Sequence, residues 1–188
     1  VNPAVWLALV ALSNPAPAVS HHAGIFYQAA TVNYWSDRHL VSRWLGRALT
    51  REESSFRTKL ETRGPVTVPK LSKEALVKFL AKYPGYRWDL KNKHIIWVIL
   101  SHGMLQTNPR FDREFATAAG LKEFDWRNPD ESARIGIGRL AFLLRYFDGD
   151  VGLSVASYNC GIARLESSQP IPNETLVFLG RVLKGRPS

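Results

Sequence analysis

The 188-residue chain has one cysteine, one methionine and sixteen acidic side chains against twenty-five basic ones. One cysteine excludes a disulfide framework within the chain and any cysteine-based zinc site. The shortage of acid leaves a net charge of +9, which favours an anionic partner; nucleic acid, a membrane surface and an acidic cell-wall polymer all qualify. Helix-turn-helix spacing, RNP-type aromatic motifs and zinc-finger patterns are missing, so no nucleic-acid reader is expected. No apolar run is long enough to span a bilayer, so no integral membrane span is expected either. Internal repeats and low-complexity tracts are also absent. Apolar residues at 45% and charged residues at 22% are ordinary proportions, which excludes wholesale disorder and a membrane-embedded chain. The length suits one domain with a sizeable core.

What is present is unevenly spread. Residues 51–100 carry eleven basic and five acidic side chains, whereas residues 101–150 carry seven and eight. At the start, Val5–Leu12 is a short apolar run followed by Ala16-Pro17-Ala18, which has the form of a signal-cleavage site without a charged region before it. Residues 1–36 therefore read as an N-terminal segment, either an export-signal remnant or a packing helix. His21-His22 have no acidic or cysteine company and read as solvated, so neither a metal nor another cofactor is expected.

Helical periodicity dominates the rest. Asp37 to Phe56 reads as one helix capped by Asp37, with Leu40, Val41, Trp44, Leu45 and Leu49 along one face. Gly64-Pro65 breaks the chain and Val66–Pro69 is at best extended. Ser72 to Tyr83 reads as a second helix, with Leu76, Val77, Phe79 and Leu80 inward and Lys73, Lys78 and Lys82 outward, ended by Pro84-Gly85. His94–Leu100 is either a buried helix or a strand. Asn128-Pro129-Asp130 opens a long helix that Asp148-Gly149 ends. Val151–Asn159 and Glu174–Leu183 follow as two more.

Four short patterns recur in order along this frame: Glu53-Ser54-Ser55-Phe56, Gly103-Met104-Leu105-Gln106 with Pro109, Tyr158-Asn159-Cys160-Gly161, and Pro172-x-Glu174-Thr175. Each alone is weak; a Tyr-Asn-x-Gly, for instance, commonly marks no more than a helix C-terminus. Together they resemble the soluble lytic transglycosylases, the SLT or goose-type-lysozyme-like family, whose pattern runs E-S-x-F, G-L-M-Q-x-x-P, Y-N-A-G and P-x-E-T. Pro129 is followed at seven residues by Gly136 and at eleven by Leu140, as in that family's connecting helix. The resemblance covers roughly residues 40–56 and 101–183.

The resemblance implies a mainly α, lysozyme-like domain over 37–188, and an exported enzyme of the periplasm or cell envelope that acts on peptidoglycan glycan strands. Glu53 would protonate the oxygen between N-acetylmuramic acid and N-acetylglucosamine. As carboxylate it would then accept the proton of the sugar's C6 hydroxyl, leaving a 1,6-anhydro end. Gln106, Tyr158 and Asn159 would orient the glutamate and the sugar, with Met104 and His102 beside them. Two alternatives stay open: a hydrolytic lysozyme using water with Glu61 or another acid as base, and a non-catalytic wall-binding or assembly module. Glu52 points about 100° away on the helix and reads as solvated.

The departures are an insertion at 57–102, with ten basic and three acidic side chains, and several substitutions. Ser101-His102 replace a Gly-Ala, Met104-Leu105 invert a Leu-Met, and Ser132, Arg139 and Cys160 replace an Asn, a Tyr and an Ala. The insertion is where a small extended or β element is expected. It is also where an envelope or secretion-machinery protein would dock, with Phe79, Tyr83, Tyr86 and Trp88 among its lysines.

Overall fold

A computed structural model of the chain describes residues 24–83, 86–108, 112–122 and 125–187. The Val5–Leu12 run, Ala16-Pro17-Ala18, His21-His22, Pro84-Gly85 and Pro109 lie outside the described residues. Among those described are eight helices and one three-stranded sheet. In chain order the elements are α1 (Gly24–Arg38), α2 (Arg43–Ser54), β1 (Glu61–Thr67), α3 (Lys73–Leu80), β2 (Arg87–Trp88) and β3 (Ile95–His102). Then follow α4 (Arg113–Ala118), α5 (Pro129–Tyr146), α6 (Val151–Cys160), α7 (Ile162–Glu166) and α8 (Asn173–Lys184). The fold is mainly α, with its one sheet inside the basic insertion.

The single helix expected from Asp37 to Phe56 is two. Asp37 ends α1 instead of capping a helix, and its carboxylate takes the Arg43 guanidinium across the corner. Leu40 turns that corner at φ 58° with its side chain 86% exposed, a conformation that costs a β-carbon about 1 kcal/mol. Val41 takes the core position in its place. The division suggested after residue 36 falls inside α1, whose Val32 and Trp35 are buried in the same cluster as Leu45, Leu49, Ile137 and Leu140. Around α5 pack α1, α6 and α4, while α8 closes over α2 and α6.

Helix α5 begins as its sequence dictates: the Asn128 side chain accepts the Asp130 N–H at 3.0 Å and Pro129 occupies the first turn, where a missing N–H costs nothing. Gly136 permits a close approach. A β-carbon there would lie 2.5 Å from Leu105 Cβ and 2.9 Å from the Tyr158 hydroxyl. Both neighbours are fixed, so overpacking outweighs the gain in helix propensity. Gly136→Ala is expected to lower Tm by roughly 3–8 °C in a thermal melt.

The insertion builds a small antiparallel sheet in the order β1-β3-β2. One face of β3 (Ile96, Val98) packs under α3 against Leu76, Phe79 and Leu80, so His94–Leu100 resolves as a strand, not a helix. Ser72 caps α3 by accepting the Ala75 N–H. Val77, expected inward, is 63% exposed because only one side of this short helix meets the sheet. The pairing slips between Arg63↔Ile99 and Thr62↔Ser101, which leaves Leu100 as a bulged residue. A bulge re-aims the strand beyond it, and here Leu100 and Ser101 become part of a cleft wall.

Candidate active site

Glu53 stands in the last turn of α2, where the carbonyl end of the helix disfavours a negative charge. The chain then turns through two left-handed residues, Ser55 (φ 52°) and Phe56 (φ 63°). That turn returns Phe56 to the core, 7% exposed, and leaves Glu53 on a cleft of about 670 Å³. The four sequence patterns meet here because each hydrogen-bonds another. Ser54 Oγ donates to the Met104 carbonyl at 2.6 Å, and the Tyr158 hydroxyl donates to the Leu105 carbonyl at 2.9 Å. Thr175 Oγ1 donates to Asn159 Oδ1 at 2.7 Å. Ser132 accepts the Leu105 N–H at 3.3 Å. Buried bonds of this kind contribute about 1 kcal/mol each and cost more when one partner is orphaned. Gly103 starts the loop at φ 78°, where a β-carbon would lie 2.3 Å from the Trp126 carbonyl.

Glu53, Gln106, Tyr158 and Asn159 all line the cleft. Met104 and His102, expected at the sugar, are 0% and 2% exposed and are not among its lining residues. Met104 is held in the core cluster, and the His102 ring packs edge-on against Trp126 at 4.4 Å. Gln106, at φ 45°, has its amide engaged by the protein. Its Oε1 accepts from Thr62 and Ser101, both at 2.8 Å, and its Nε2 donates to the Gly103 carbonyl at 2.9 Å. It therefore ties the inserted strands to the loop and presents no free amide. Tyr158 is 3% exposed, with its hydroxyl directed into protein. Tyr158→Phe is expected to lower Tm by roughly 3–8 °C in a thermal melt by orphaning the Leu105 carbonyl. An unchanged Tm would show that this bond does not hold the loop.

Burial pushes the Glu53 carboxyl up to about 8; Arg139 opposes this, while Asp112 and Glu52 add to it. Such a group is mostly protonated at neutral pH and can deliver a proton. Glu52 is not freely solvated: it is 22% exposed and stands 4.0 Å from Arg181. Two charged groups beside Glu53 carry no catalytic pattern in the sequence. Arg139 reaches in from α5, and Asp112, 1% exposed, precedes α4. Arg139 announces itself only as a departure at a position where the resembled pattern has tyrosine. Asp112 offers no local signal at all. Phe115, Phe142 and Cys160 supply less polar wall, and Asn108 and Glu114 supply polar edges. Glu61 is turned away, paired with Arg63 at 2.5 Å, and is not among the lining residues. Among the described residues no group of three or more His, Cys, Asp or Glu side chains gathers to hold a metal. No helix among them is long and apolar enough to cross a membrane.

Comparison with known proteins gives the family and supports the fold. The Transglycosylase SLT domain model matches residues 30–174. The fold is also similar to an X-ray structure of an inactive mutant of the lytic transglycosylase Slt from Pseudomonas aeruginosa. That match has a TM-score of 0.54 at 18% identity, over 83% of this chain and 22% of that one. The chain thus spans less than a quarter of that protein's length, and the likeness speaks to the fold. No curated protein sequence matches. The family match takes in α2 with Glu53, the inserted sheet, the cleft and the Tyr158-Asn159 helix, and the chain belongs to the transglycosylase SLT domain family.

Proposed function

We propose that the protein is an exported peptidoglycan lytic transglycosylase of the cell envelope, with Glu53 acting first as acid and then as base. The observation that carries this reading is the Glu53 carboxyl, raised to about 8 by burial, on a cleft that it shares with Gln106, Tyr158 and Asn159. In the first step the C1–O4 bond between N-acetylmuramic acid and N-acetylglucosamine breaks, and O4 takes the proton of Glu53. In the second, the muramic C6 hydroxyl closes on C1 and its proton returns to the Glu53 carboxylate. No water enters and the carboxyl is regenerated. Enzymes that hydrolyse the same bond use two carboxylates, one of them for water or for a covalent intermediate. Here Glu61 is spent on Arg63 and Asp112 on Arg139, which favours the single-carboxylate course. Asn159, exposed at the end of α6 and oriented by Thr175, is the side chain best placed to meet the sugar.

The test is digestion of purified sacculi by the protein. Soluble fragments with 1,6-anhydromuramic ends are expected. Fragments with reducing ends would make the protein a lysozyme, and binding without release would make it a wall-binding module.

A further inference from the structure

Arg139 stands where the resembled pattern has a tyrosine, and an uncompensated guanidinium there would work against a proton donor. A cation within about 4–6 Å of a carboxyl lowers its pKa by roughly 1–3 units. The structure surrounds this cation closely. Arg139 Nη1 lies 3.5 Å from Asp112 Oδ1, and Nη2 donates to the Tyr158 carbonyl at 2.9 Å. Its Cζ sits 4.4 Å from the centre of the Tyr158 ring. Asp112 is in turn fixed by the Asn108 N–H at 2.5 Å. Both members of the pair line the same cleft as Glu53.

We propose that Arg139 and Asp112 are a positioning pair for Glu53: a matched cation and anion whose charges offset one another at the acid. The pair also anchors the Tyr158-Asn159 end of α6 beside it. This rests on the reading of Glu53 as the acid. The groups that act on Glu53 are Arg139 from α5, Asp112 ahead of α4, and Glu52 from its own helix. Glu114 of α4 and the Tyr158 phenol of α6 share its cleft. Among these Arg139 alone favours the ionised form. Burial pushes the Asp112 carboxyl up while Arg139 and the Asn108 N–H oppose this, so with Asp112 ionised the loss of Arg139 raises Glu53 and the loss of Asp112 lowers it. A purely structural role has no such sign.

The experiment follows the Glu53 titration by carbon-13 NMR of glutamate carboxyls, with the signal assigned by its loss in Glu53→Gln. The pH profile of kcat/KM on sacculi is recorded alongside. Asp112→Asn, which keeps an acceptor for the Asn108 N–H, is expected to lower the Glu53 midpoint and the alkaline limb by about one unit. Arg139→Met is expected to raise both, and the double variant to return near the wild-type values. Single variants that leave the midpoint in place or move it in the same direction overturn the proposal. Should Arg139→Met fail to fold, the fall of the midpoint in Asp112→Asn decides the matter. Full activity of Glu53→Gln would sink the acid assignment, while the NMR midpoints still judge the pair by itself.

Discussion

Glu53→Gln is expected to abolish glycan release, lowering kcat on sacculi by about a thousandfold or more with binding largely retained. The amide has nearly the shape of the acid but neither the proton that O4 needs nor the lone-pair basicity to take up the C6 hydroxyl proton. Both steps therefore fail together. The cleft's other carboxylates differ from it: Asp112 is held by Arg139 and the Asn108 amide, and Glu114 is exposed. Glu52 points about 100° away around the helix and stands by Arg181. A variant at Glu52 is expected to keep most of its activity, and that contrast separates loss of the acid from general damage to α2.

The second large effect is on pH. With Glu53 raised to about 8, kcat/KM should hold through neutral pH and fall about tenfold per unit above it, as the acid loses its proton. Stability carries the same signature. The folded-state pKa is above the ordinary 4.5, so between about pH 4.5 and 8 the folded form holds a proton that the unfolded chain has released. Folding free energy from this group is therefore full below the lower value and declines as pH rises through the window, levelling off above 8. Glu53→Gln has no such proton. It should melt close to the wild type at pH 4 and several degrees higher at pH 9, a difference on the order of a few kcal/mol. A variant equally or less stable at pH 9 would show that burial does not raise this carboxyl.

How much of this was legible in the sequence depends on range. The four patterns are local, and their residues are the ones that hydrogen-bond from one pattern to the next, as Ser54, Tyr158 and Thr175 do. The corner between α1 and α2 was not legible. Apolar spacing runs through Leu40 and Val41 without a break, and only the backbone there, with Leu40 at φ 58°, tells one helix from two. The His94–Leu100 sequence fits helix and strand alike, because a short apolar run suits either until its partners are known. The Arg139–Asp112 pair joins positions 27 residues apart, which no local spacing marks. Gln106 illustrates a different difficulty. Its pattern points to a sugar ligand, but Thr62 and Ser101, which occupy its carbonyl oxygen, belong to the insertion that the family pattern does not contain.

The insertion also changes the meaning of the positive charge. Its lysines on α3 are exposed, but its strand β3 delivers Leu100 and Ser101 to the cleft. It is therefore part of the wall beside the acid as well as a basic surface.

If one carboxyl breaks the glycosidic bond without water, no solvent oxygen reaches the product. Digestion of sacculi in water enriched in oxygen-18, with mass spectrometry of the released fragments, tests it most directly. Anhydro-ended products that carry no heavy oxygen are expected; one oxygen-18 at each newly formed reducing end would mean that water is the nucleophile.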